Sequence, residues 1–351
     1  MTATLVERKE EQIPPPGSAK TRRDNQDRWA RLSAIAGAAV WAVLAVAARV
    51  GLARIGGIEL LFCFAPLVIV PLGIELGRVL ASQLLVPRAR EKWVIRLDLL
   101  ARGTQPLLAA FAVVSLLLPP GRSAGLVAWG WMLAGLLHCG VGAADFLSAW
   151  SHACARLFDL TLFMARVDLL VGGSWLVASR FGMHPFGIQE PIGLLTAVHF
   201  HFAGFATAMI AAAMLRFSQG RAFGLRLRWI APFVIGMPYL VAVGFVTSAF
   251  VKMAAAVAFS ASVAGLAIVL RSFARRAERS AARILLQVSA ATGFAGMVLS
   301  TAYAIAHFFA SEGWTIPQMA RSHGILNALG FCMTGLLGWI VEWENKARQE
   351  R

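Results

Sequence analysis

Hydrophobic positions in this chain gather into long unbroken runs, approximately 32–48, 57–76, 104–118, 124–148, 157–179, 188–215, 229–247, 253–270, 284–309 and 320–341. At 1.5 Å of rise per residue, roughly 20 apolar residues cross the hydrocarbon of a bilayer, so most of these runs predict membrane-spanning helices. Run 104–118 is short and Pro106 stands near its start, which predicts the upper half of a broken helix beginning near Trp93. Only a few residues around Ser248 to Lys252 separate the seventh and eighth runs, which predicts a tight helical hairpin. The expected fold is all-α: a polytopic transmembrane bundle of about ten spans over residues 32–341.

The ends of the chain read differently. Residues 1–31 contain Glu7, Arg8, Lys9, Glu10 and Glu11, a Pro14-Pro15-Pro16-Gly17 break, and Arg22, Arg23, Arg28 and Arg31, with no apolar core. They are expected to be a disordered cytoplasmic tail, and 342–351 a second cytoplasmic tail.

Charge fixes direction. The net charge is +15 at pH 7 with 33 Lys and Arg, but the basic residues sit between apolar runs and form no single patch, so nucleic acid is not an expected partner. With a cytoplasmic N-terminus, 26 of the 33 fall on inside segments and six on outside loops (Arg49, Arg54, Arg122, Arg180, Lys252, Arg321). That asymmetry predicts both termini on the cytoplasmic side of the membrane, with the basic residues meeting anionic lipid headgroups. Hydrophobic residues at 58% and charged residues at 15% leave no room for a separate soluble domain. Cys63, Cys139, Cys154 and Cys332 form no CxxC pair, so neither a zinc site nor a disulfide framework is expected.

The polar residues inside the runs are the candidate chemistry, because an ionisable group at bilayer depth needs a partner or a role. Depth along each helix places Glu59, Glu190, His307, His323 and Asn327 toward the outer side. His138, Arg166, Asp168, His199 and His201 lie deeper, and Glu75, Asp145 and Asp159 lie toward the cytoplasm. Arg166 and Asp168 are two residues apart, about 200° around a helix, so each needs a partner on a neighbouring helix. The same spacing puts His199 and His201 on different faces, where they cannot chelate one metal. Asp145 and Asp159 are read as solvated or paired with Arg156. Glu190 before Pro191 is an ordinary helix start, and His138 fits an interhelix hydrogen bond.

The string Gln189-Glu190-Pro191, then Leu194-Leu195-Thr196-Ala197-Val198-His199-Phe200-His201-Phe202-Ala203-Gly204-Phe205, resembles the YndJ-like family of bacterial integral membrane proteins. The later His323-Gly324-Ile325-Leu326-Asn327-Ala328-Leu329-Gly330-Phe331 resembles the same family. The likeness runs from about residue 35 onward. It implies either a transporter or, as for some members in actinobacterial biosynthetic clusters, a membrane-bound terpene cyclase. A cyclase needs a dry carboxylic acid, a base for the closing deprotonation and aromatic faces for carbocations. The candidate catalytic residues are Glu190, His199, His201, His323, Asp168 and Glu59, with Asn327, Phe200 and Phe202 expected at the substrate. Glu190 is the first-choice acid. The expected partner is a prenylated small molecule beside membrane lipid. No cofactor and no metal are expected, since no paired acidic motif is available to hold magnesium. A transporter of a small lipophilic molecule or ion is the alternative. A haem- or quinone-binding protein is a further one, with a bis-imidazole haem between His201 and His323.

Overall fold

A computed structural model describes residues 16–82, 90–151, 156–218, 223–310 and 313–349. Cys154 and residues 1–15 lie outside them. Among the described residues ten helices are long and apolar enough to cross a membrane: α1 (Trp29–Arg49), α2 (Gly57–Ala81), α3 (Lys92–Leu117), α4 (Arg122–Ser151), α5 (Leu157–Phe181), α6 (Ile192–Phe217), α7 (Gly224–Thr247), α8 (Ala249–Ala274), α9 (Ser280–Phe308) and α10 (Ile316–Glu344). No strand occurs among the described residues. The all-α polytopic bundle is what the apolar runs predict.

The differences lie at helix ends. The α1 helix begins at Pro16, ahead of its apolar stretch, so residues 16–31 are helix and not disordered tail. Proline suits a first helical turn, and the Ala, Lys, Arg and Gln that follow are good helix formers. The helix of α10 likewise continues to Gln349, through most of the expected second tail. Helix α3 starts next to Trp93, as predicted, but runs through Pro106 without a break. Ser248 alone separates α7 from α8, and its hydroxyl caps α8 by accepting from the Phe250 N–H at 3.2 Å.

Helix α6 is the axis of the bundle. Buried residues make up 89% of its apolar window, against 11% for α1 at the periphery. It contacts α2, α5, α7, α8 and α10. Three of these central spans contain π-helical stretches: Ala65–Ile69 in α2, Phe200–Ala206 in α6, and Ala320–Gly324 and Leu326–Met333 in α10. The stretches in α2 and α6 and the longer one in α10 pack on one another. A widened turn frees carbonyls that hydrocarbon cannot satisfy, and side chains here take them up. Gln105 Nε2 donates to the Pro66 carbonyl at 2.8 Å, Thr207 Oγ1 to Phe202 at 2.9 Å, and Ser289 Oγ to Phe331 at 2.8 Å. Ser289→Ala is therefore expected to cost on the order of 1 kcal/mol, the upper range for interhelix hydrogen bonds in membranes. A lowered unfolding temperature in detergent micelles would register it.

Candidate functional site

The two histidines of α6 have opposite surroundings. His201 is fully buried. Its Nδ1 lies 2.7 Å from the Ala197 carbonyl, and its Nε2 accepts from the Trp131 indole at 2.8 Å. A nitrogen facing a carbonyl carries the proton and one facing an N–H donor does not, so the ring is a neutral tautomer with both nitrogens engaged. Phe62 and Trp131 pack around it at ring-centroid distances of 5.0 and 5.8 Å. Gly172 of α5 admits the imidazole: a Cβ there would lie 2.6 Å from its Nδ1.

His199 is exposed, the one such residue along α6 beyond its first turn. Its Nδ1 is also held by a carbonyl, that of Leu195 at 2.7 Å. That bond fixes the tautomer and leaves the Nε2 lone pair unpartnered among the described residues. The first turns of α6 pack on α2 and α5. The face bearing Leu195, Thr196, His199 and Ala203 is left exposed or half-exposed. One residue on, Phe200 meets Tyr239 of α7 edge-on at 5.3 Å, while the Phe202 carbonyl meets Cys332 of α10. His199 thus lies on the face of α6 between the sides that meet α7 and α10.

His323 is on α10, whose longer π-helical stretch packs on that of α6. Its Nδ1 is 2.9 Å from the Gly296 carbonyl of α9, and the Asn327 amide lies 3.1 Å from its Nε2. Nδ1–H thus donates to Gly296, while the Asn327 amide, 3.1 Å from both ring nitrogens, lies against the ring and donates to the His323 carbonyl at 3.0 Å. Of these three histidines, His199 alone has a ring nitrogen with no partner among the described residues.

The acids divide as sharply. Asp168, on α5, is 0% exposed, and its Oδ1 accepts from the Tyr239 hydroxyl at 2.6 Å. Its Oδ2 is buried with no partner among the described residues. It lies against Gly204, where a Cβ would come 2.8 Å from it. Arg166 turns the other way, as the spacing requires, and donates to Asp145 of α4 at 3.2 Å. Arg90 binds both Asp145 and Asp98, and Arg102 also pairs with Asp98, closing an ion network over α3, α4 and α5. Asp145 is therefore paired with Arg90 and Arg166, not with Arg156. Asp159 accepts from the Arg156 backbone N–H at 3.0 Å and caps α5. His138 is buried, and its Nε2 finds no partner among the described residues.

Glu190 is exposed, and its Oε2 accepts from the Leu194 N–H at 3.2 Å, so it caps the start of α6. Glu59 lines a separate cavity with α1 and α10. Both glutamates act electrostatically on Arg180, a buried guanidinium that donates to the Ser115 and Leu118 carbonyls at 3.1 and 2.7 Å. The structure thus brings His199, His323, Asn327 and Phe200 to one region, with Asp168 reached through Tyr239. It keeps Glu59 and Glu190 apart from that region. Phe202 is buried against α10, through its carbonyl.

Tyr239 and Trp131 were not singled out by sequence. The one available signal for Tyr239 was its rarity, as one of two tyrosines in the chain, lying next to Pro238 inside a span. Among the described residues no group of three or more His, Cys, Asp or Glu is placed to hold a metal ion.

Residues 60–331 match the family described as YndJ-like protein. A relative from Bacillus subtilis (strain 168), described as uncharacterized membrane protein YndJ, is 26% identical over 237 residues. That alignment covers 68% of this chain and 41% of the relative, so the chain spans well under half the relative's length. No solved structure matches.

Proposed function

The chain belongs to the YndJ-like family, and for it we propose a membrane-bound terpene cyclase that protonates an alkene or epoxide of a prenyl chain inside the bilayer. The observation that carries this reading is Asp168, a fully buried carboxyl with one phenol partner and one bare oxygen. With no cation beside it in a dry interior, the charged form is costly, which suits an acid that must deliver a proton. In the protonated state the Asp168 carboxyl O–H turns to donate to the Tyr239 oxygen, and Tyr239 gives its own proton to an alkene carbon while taking that of Asp168. The π pair forms the new C–H bond and leaves a carbocation. A second alkene closes the ring, and the Phe200 face beside Tyr239 stabilises the positive charge. His199 Nε2 then removes a proton from the carbon next to the final cation, and that C–H pair becomes the product alkene. Water returns the proton to Asp168, so the net reaction is an isomerisation. Glu190 serves this role less well, because it is exposed at the start of α6 and its carboxylate is occupied by the Leu194 N–H.

The test is product formation by protein reconstituted in nanodiscs with a prenylated phenol, analysed by mass spectrometry. Cyclised product from the native chain and none from empty nanodiscs is the expected result. A proton-coupled transporter is the second reading, favoured by the closed packing around Asp168, since a carboxyl uncovered only by movement suits alternating access.

We also infer that both termini are cytoplasmic, supported by the excess of Lys and Arg at the end of the bundle that carries them. Reporter fusions after Arg122 are expected to read as external, and those after Arg90 and Glu278 as internal. An internal reading at Arg122 would overturn the orientation.

A further inference from the structure

Between α1, α2 and α10 lies a cavity of ≈ 460 Å³. That volume is in the range of small-molecule sites. Its walls are hydrocarbon and aromatic, with Trp41, Phe64, Leu61 and Leu329 among them. The Trp41 ring is fixed there by donating to the Leu60 carbonyl at 2.8 Å and by packing edge-on against Phe64 at 5.0 Å. Its one polar atom is thereby spent, and the wall it offers is apolar.

The charged side chains lining the cavity are Glu59 and Arg321. Glu59 is the third residue of α2 and Arg321 the sixth of α10. Both therefore sit within about two turns of the same end of the bundle, at headgroup depth. Neither makes an ion pair or side-chain hydrogen bond among the described residues. An acid and a guanidinium thus face one apolar cavity from two walls without meeting each other. The third wall, α1, is the least buried span, so the cavity borders the surrounding lipid.

We infer that this cavity binds a zwitterionic phospholipid with a primary ammonium headgroup, an ethanolamine phospholipid. Arg321 takes the phosphate, Glu59 accepts from the ammonium, and one acyl chain fills the space between Trp41, Phe64 and Leu329. An anionic glycerol headgroup leaves its phosphate to Arg321 but offers Glu59 neutral hydroxyls in place of an ammonium. A choline headgroup has no N–H to give Glu59. The lipid is distinct from the prenyl substrate beside His199, and its binding does not depend on that chemistry.

Native mass spectrometry of the full chain, delipidated in detergent and titrated with dioleoyl phosphatidylethanolamine, phosphatidylcholine or phosphatidylglycerol, tests the assignment. One ethanolamine lipid is expected to bind about tenfold more tightly than either of the others, the scale of one charge-assisted hydrogen bond. Glu59→Gln should erase the preference over choline, Arg321→Gln should weaken both zwitterionic lipids, and Ala45→Trp should exclude all three by filling the cavity. Equal binding of the three lipids by the native chain would overturn the proposal. So would ethanolamine binding unchanged in both charge variants.

Discussion

Asp168→Asn is expected to lower cyclised product by about 10²- to 10⁴-fold, the usual contribution of a general acid, with the protein still folded and inserted. Asparagine keeps the shape and can still accept from Tyr239 through its amide oxygen. What it loses is the proton. Tyr239→Phe removes the hydroxyl 2.6 Å from Asp168 and should also cut product sharply, because the relay ends there. Gly204→Ala offers a steric check, since its Cβ would come 2.8 Å from Oδ2 and push the carboxyl out of place. Product at the native level from Asp168→Asn would remove Asp168 as the acid. Unaltered insertion is read from membrane fractionation, and the product ratio from mass spectrometry.

His199→Ala is expected to reduce turnover by about 10²-fold or more and to change which alkene forms, since another group or water must take the final proton. The fold should tolerate it: His199 is exposed, and the Nδ1–H bond to Leu195 stays within its own helix. His201→Ala should behave in the opposite way. It removes the acceptor of the buried Trp131 indole and opens a hole beside Gly172, so it should cost about 1–3 kcal/mol through the unpaired donor alone. Activity and thermal unfolding, measured on both variants, separate the two roles. A His201→Ala protein as stable as the native chain would contradict the assigned tautomer and its partners.

The spans were legible because a bilayer demands long apolar runs, and little else in a sequence produces them. The direction in which Arg166 and Asp168 turn was legible as well, since a two-residue offset forces them onto opposite sides of a helix. Their partners were not. Asp145 and Arg166 are 21 residues apart and Asp168 and Tyr239 71 apart, and only packing says which helices touch. The alternation of His199 and His201 shows that they diverge, but not which of them faces the open side. That depends on α6 being the central helix and on its π-helical stretch starting at Phe200. Nor do apolar runs reveal π-helical turns, since those depend on carbonyls finding donors such as Gln105 and Ser289 on other helices. The helical start at Pro16 was hidden for another reason: a charged stretch with good helix formers looks the same whether or not it continues a span.

The most direct measurement of the central claim is isotope incorporation. If cyclisation begins with a proton from Asp168, turnover in D₂O by protein in nanodiscs should place one deuterium on the carbon protonated first. Asp168→Asn should lower product and incorporated label together, by the same factor. Product formed in D₂O without deuterium would contradict protonation by an exchangeable acid. Movement of the prenylated compound across the bilayer with its structure unchanged would contradict the enzyme reading and favour a carrier.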